Sequence, residues 1–235
     1  MLVMKNINLE ENQDFLNYIL KKCNIISLTK YHDQHSEQHS RIINIILTSG
    51  KYSKEDILNV ELINNPNKIY DDFKDNEEIF NSDYKNKYEN DSRYLYLIED
   101  NRKSVIMGSI YEYFYNYVTN RFIDKFKDIT IKKEEVLLTS GVHHSTIYYF
   151  KLNTDIKKEL ILKKSISKWQ YPYSMEDISF YLDDYCYLRS ISHEDICEIY
   201  YDNEEEFKYL KFMGIEFDNE NYIPVSKDDS SYPNF

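Results

Sequence analysis

The feature that most constrains this chain is a change of hydrophobic period near its middle. Ile110, Phe114, Val118, Phe122 and Phe126 recur every four residues, and Tyr111, Tyr115 and Ile123 widen the stripe. That spacing predicts one long amphipathic helix over 110–127, of the kind that packs into a core rather than boxing a cofactor. From Glu134 the period becomes two. Val136–Ser140, Thr146–Leu152 and Glu159–Ile166 read as successive strands, joined at GVHHS and NTDIKK. Further on, Ile178, Phe180 and Leu182 alternate with Ser179, Tyr181 and Asp183, and Cys186 and Leu188 alternate with Tyr187 and Arg189. A strand with one buried face has this pattern, and Asp183-Asp184 between two such runs reads as a tight turn.

Helical signals dominate before the switch. Asn8–Cys23 carries an apolar stripe of Leu9, Phe15, Leu16, Ile19 and Leu20. Ile25–Tyr31 is ambiguous. His32–Leu47 reads as a second helix closed by Gly50, and Ser53 is placed to cap a third. Asn64–Asn67 forms a turn around Pro66. Ile69–Asp91 has few apolar anchors and reads as a marginal helix or mobile loop. Arg93–Glu99 and Ser104–Ser109 read as a hairpin connected by Asp100–Lys103. After the last strand, Asn203 can cap a helix whose first turn is Glu204, Glu205 and Glu206, with Gly214 as its stop and Ile215–Phe217 as a short return strand. These periods predict an α+β protein: a mainly helical N-terminal half with one hairpin, an antiparallel β-meander and a short C-terminal helix. The expected division is 1–130, helical, and 131–235, antiparallel sheet with an acidic C-terminal cassette, whether as two domains or one continuous domain.

Charge is as uneven as the period. The whole chain has a formal charge of -12. Residues 171–235 hold 16 Asp and Glu against 4 Lys and Arg, so they account for all of it and residues 1–170 balance. An acidic region interleaved with Tyr and Phe suits a basic partner and repels nucleic acid and anionic membrane. The three cysteines, Cys23, Cys186 and Cys197, lack metal-ligand spacing, and the N-terminus lacks an apolar signal region, so a reducing cytoplasm is the expected location. No run approaches the ~18 apolar residues of a membrane span.

Three clusters carry candidate chemistry. His32, His35 and His39 would share one face of a helix, and three imidazoles could hold a divalent metal there; the competing reading is a His-rich polar first turn. His143-His144 on a turn could serve general acid–base catalysis, as a hydrolase or nuclease requires, yet no phosphate-cradling loop accompanies it. Ser192-His193-Glu194-Asp195 lies between Cys186 and Cys197, where a thiolate–imidazole pair would need hydrogen-bonding distance; buried, inert thiols are the simpler reading. Trp169, the single tryptophan, precedes Tyr171 and Tyr173, and aromatics with polar tips commonly anchor interfaces.

Trp169, Pro172, Glu176-Asp177, Phe180-Tyr181, Cys186, Ser192-His193-Glu194 and Gly214–Phe217 together resemble small acidic proteins of low-GC bacteria associated with toxin–immunity loci. The resemblance covers residues 169–217 and includes no catalytic motif. It implies a folded module with an inhibitory role. The reading it joins is of a binding protein, without cofactor or catalytic residues, that neutralises a basic partner such as a toxin or a nucleic-acid-processing enzyme. Trp169, Tyr173, Asp183, Asp184, Glu194, Asp195, Glu198, Asp202, Glu204 and Glu205 would form its contact. The rivals are a metal- or His-dependent hydrolase and a structural subunit of a bacterial or phage assembly.

Overall fold

The structure is a computed structural model that describes residues 2–4, 13–32, 36–76, 78–79, 94–137, 144–163, 169, 171–192, 196–201 and 203–217. The chain folds as two compact units, residues 1–32 with 121–235 and residues 33–120. The fold is α+β, and the strand pairings of its sheet among the described residues are antiparallel.

The first unit is built on a seven-stranded sheet of β1 (Leu2–Met4), β2 (Ile25–Tyr31), β3 (Thr130–Leu137), β4 (His144–Lys151), β5 (Glu176–Leu182), β6 (Tyr185–Ile191) and β7 (Ile196–Ile199). Their spatial order is β1-β7-β6-β5-β2-β4-β3. β5, β6 and β7 form the meander that their alternation predicts, and β3 and β4 pair as expected. The ambiguous segment 25–31 resolves as an interior strand, between β5 and β4. It is buried on both faces, which removes the alternation that would have announced it. Residues 1–32 head the stretch read as helical, yet they lie in the sheet unit because β1 and β2 pair there.

One sheet face carries the main core. Ile26, Leu28, Phe150, Ile178, Phe180 and Leu188 meet α1 (Gln13–Lys22) through Phe15, Leu16, Ile19 and Leu20. The opposite face is smaller and more polar, with Ser27 and Thr29 buried beside Tyr149, Tyr181 and Cys186.

The second unit packs Ile42, Ile43 and Ile46 of α2 (Ser36–Thr48) with α3 (Lys54–Ile57), α4 (Val60–Asn64) and α5 (Asn67–Phe73). Ser53 and Asp56 form a reciprocal capping box at α3. Gly50 ends α2 with φ +71, a conformation that favours glycine. Of the weakly patterned segment 69–91, residues 69–73 belong to α5 and 80–93 lie outside the described residues.

Two expected β elements are helices. The hairpin over 93–109 is instead the start of α6 (Tyr94–Phe126), whose residues 94–120 belong to the second unit and 121–126 to the first. Its four-residue ladder begins a turn earlier than the sequence reading placed it, at Ile106, and continues through Ile110 and Phe114, all buried. The stretch at 100–103 is helical rather than a turn, and Arg102 donates to the carbonyl of Lys74 at 2.9 Å. The strand expected over 159–166 is helical through Lys163, in α7 (Thr154–Lys163). The Asn153 side chain caps α7, accepting from the backbone N–H groups of Asp155 and Ile156 at 3.0 Å, and Ile156 and Leu160 are its buried pair. The exposed Ile161 and Leu162 next to Leu160 produced a run of apolar residues that imitates a strand. The return strand expected over 215–217 is a single bridge at Phe217.

α8 (Glu204–Phe212) is held to the sheet by one carboxylate. Asn203 caps it, accepting from the Glu206 N–H at 2.9 Å. Glu206 turns inward, and its Oε1 accepts from Tyr187 of β6 at 2.7 Å and from Tyr18 and Lys22 of α1. The Lys22 ammonium also lies 4.4 Å from the Tyr187 ring centroid. Removing one partner of a buried ion pair strands the others, at a cost of about 3–5 kcal/mol. Glu206→Ala is therefore expected to lower unfolding stability by about that much, measured by urea denaturation. A loss no larger than that of Glu205→Ala would show that Glu206 does not organise this contact.

Burial also sets the alkaline limit. The hydroxyls of Tyr31, Tyr181, Tyr187 and Tyr200 are all raised from the ordinary value of 10.0, with burial as the first cause. The same cause pushes Tyr149 up to about 12. The native state keeps protons that the unfolded chain has already lost, so this stability is complete below pH ~10 and declines above it. Tyrosinate absorbance should rise together with loss of circular dichroism above that pH. Smooth ionisation of every tyrosine while the dichroism persists would contradict it.

Candidate partner-binding surface

The acidic cassette presents Asp183 with Asp184 and Glu204 with Glu205 as two exposed groups toward one end of the sheet. Asp183 and Asp184 make the β5–β6 turn. Asp183 adopts φ +57, a left-handed conformation that aspartate tolerates. The Asn24 side chain holds it there, donating to Asp183 Oδ1 at 2.7 Å and accepting from the Asp183 N–H at 2.8 Å. Glu204 and Glu205 are exposed on the first turn of α8, where the helix dipole favours them. The Tyr185 hydroxyl, beside the turn, donates to the Tyr200 carbonyl at 3.0 Å, which brings the approach to α8 against the same end of the sheet. Glu204 also meets Lys208 at 3.0 Å, an exposed pair of small energetic weight.

The other residues expected at the contact divide. Trp169 is not a surface anchor. It is 1% exposed, edge-on to Phe122 at 5.5 Å, with the Lys163 ammonium 4.3 Å from its ring centroid. The sequence reading missed this because the core it fills is assembled from residues far away in the chain. Tyr173 is 39% exposed and stays available for contact. Glu198 lies on β7, opposite Arg189 on β6, and accepts from the Tyr200 hydroxyl at 3.0 Å. Glu194, Asp195 and Asp202 lie outside the described residues.

Two aromatics went unnoticed. Phe212 is 86% exposed and Tyr209 49%, and with Glu205 they stand at i, i+4 and i+7 on α8. Helical periodicity could have found them, since α8 buries Glu206 and Leu210 and the Glu205, Tyr209 and Phe212 positions lie off that stripe.

The histidine clusters are rearranged. His32 directly follows β2 rather than starting a helix, and α2 begins at Ser36. His39 lies in α2, where its ring faces Gly108, and His35 and His143 lie outside the described residues. The three-imidazole helix face is therefore not formed. Among the described residues, no group of three His, Cys, Asp or Glu could hold a metal. The sheet instead brings His32 beside His144, whose carbonyl accepts the His32 N–H at 2.9 Å. His32 Nε2 lies 2.7 Å from Thr146 Oγ1. Burial, and then nearby Lys30, lower the His32 pKa and favour its neutral form. A neutral imidazole against a hydroxyl has the composition of a base–nucleophile pair, but Thr146 is 3% exposed and out of reach of a substrate.

The thiols are closed as well. Cys23, Cys186 and Cys197 are free and buried. Burial pushes Cys23 and Cys186 each up to about 12 and raises Cys197 further. The thiolate is the reactive form. A thiol-specific chromogenic reagent should therefore label none of the three in the native protein and all three after denaturation. Rapid native labelling of Cys186 would reopen the thiolate reading.

Comparison with protein-family models, curated proteins and solved structures finds no match to this chain.

Proposed function

We propose that this chain is a binding protein that neutralises a basic protein partner through its C-terminal cassette, as an immunity protein or an inhibitor of a nucleic-acid-acting enzyme does. The observation that carries the reading is the exposure of Asp183, Asp184, Glu204 and Glu205 at one end of the sheet, with Tyr209 and Phe212 uncovered on the same helix as the glutamates. Carboxylates of this kind meet the Lys and Arg with which such a partner would hold phosphates, and they steer the encounter. The aromatics supply contact area at low entropic cost.

The test begins with affinity capture from the native host and identification of the bound protein. Its association rate is expected to fall steeply as salt shortens the Debye length from ~30 Å to ~8 Å. Glu204→Lys with Glu205→Lys should slow association by about tenfold or more at low salt and leave the fold intact, because each helix-start carboxylate contributes only ~0.3–1 kcal/mol to stability. Glu206 must be spared, since its carboxylate is internal. Phe212→Ala should act mainly on dissociation. An unchanged association rate in the double variant, or a partner whose contact surface is acidic, would overturn the proposal.

A further inference from the structure

β3 is the outer strand of the sheet, and among the described residues it pairs only with β4. A long open edge offers a row of backbone donors and acceptors to another strand. The opposite edge, β1, spans only Leu2–Met4. Along β3, Lys133, Glu135 and Leu137 alternate onto one face, and Ile131 lies at a shift of register with β4 between Thr130 and Lys132. Ile131 is 51% and Leu137 66% exposed, and the side chains of Lys133 and Glu135 are 61% and 79% exposed. The other face carries Lys132, Glu134 and Val136, with Lys132 and Glu134 at 3.2 Å.

The order cation then anion at Lys133 and Glu135 is complementary to its own reversal. Antiparallel strands related by a two-fold axis normal to a sheet place one residue opposite itself and keep each face on its own side. With Glu134 on the axis, Lys133 of one copy faces Glu135 of the other, and this contact occurs twice. Directly opposed pairs of opposite charge stabilise an antiparallel ladder. Moving the axis to Lys133 opposes Lys133 to itself, so the register on Glu134 is preferred. The two Glu134 carboxylates that meet at the axis each carry their own Lys132. The strand also lies in the charge-balanced part of the chain, away from the acidic cassette.

We propose that β3 is a self-association edge, pairing antiparallel with β3 of a second copy about Glu134 and joining the two sheets into one.

Light scattering and sedimentation of the full chain across the micromolar range should show a monomer–dimer equilibrium. Lys133→Glu places like charges opposite each other and should weaken the dimer by about tenfold or more. Adding Glu135→Lys to it restores a self-complementary order, and the double variant should dimerise about as well as the unaltered protein. Glu134→Cys puts two thiols on the axis, with Cα atoms ~4.5–5.5 Å apart, and mild oxidation should cross-link it into a covalent dimer. The native cysteines are buried and stay out of that reaction. A protein that stays monomeric with no cross-link overturns the proposal. So does a dimer indifferent to Lys133→Glu, or a monomer that takes up an unrelated extended peptide along β3.

Discussion

The sheet depends on the insertion of β2 between β4 and β5. Its register with both neighbours runs from Ile25 to near its end, so a segment of seven residues ties together parts of the chain more than a hundred positions further on. Ile26 and Leu28 go to the main core, and Ser27 and Thr29 to the polar face. Without this strand, the β3–β4 pair and the β5–β6–β7 meander would be two small sheets, each with an open inner edge. Such fragments are marginal alone, whereas one sheet with a helix-covered face can bury a continuous core. The clamp of Asn24 on Asp183 at one end of β2, and of Tyr31 on Asp177 at the other, places polar bonds at both limits of the pairing.

That arrangement changes the meaning of the acidic cassette. Counted along the chain, its carboxylates are equivalent. In three dimensions several belong to the fold: Asp177 accepts from Tyr31 and from the Ser192 N–H, Glu198 lies across from Arg189, and Glu206 binds α8 to α1 and β6. The surface field then comes from fewer groups, with Asp183, Asp184, Glu204 and Glu205 at one sheet end. An internal carboxylate with several donors shapes the structure, while an exposed one steers encounters. Tyr209 and Phe212 add to the exposed group an apolar contact that a charge count does not register.

What the sequence by itself determined was local. The two-residue period of 176–191 marked two strands and the Asp183-Asp184 turn between them, and the four-residue ladder of 110–126 marked the second half of α6. Caps were legible where a side chain bonds within three residues, as at Ser53 and Asn203, and so were the glycines that end α2 and α8. These features need only near neighbours. Tertiary structure decided the rest. β2 gave no clear pattern because both its faces are buried. α6 began earlier than expected because partners in α2 and α5 cover Ile106 and Ile110, and α7 resembled a strand because exposed Ile161 and Leu162 adjoin its buried stripe. Trp169 looked like an anchor and is core; Glu206 looked like one of three helix-start acids and is internal; His32 and His144 lie far apart in sequence and touch where β2 and β4 pair. In each of these the outcome depends on which distant residues fill the space around a side chain, and only strand pairing and core packing specify that.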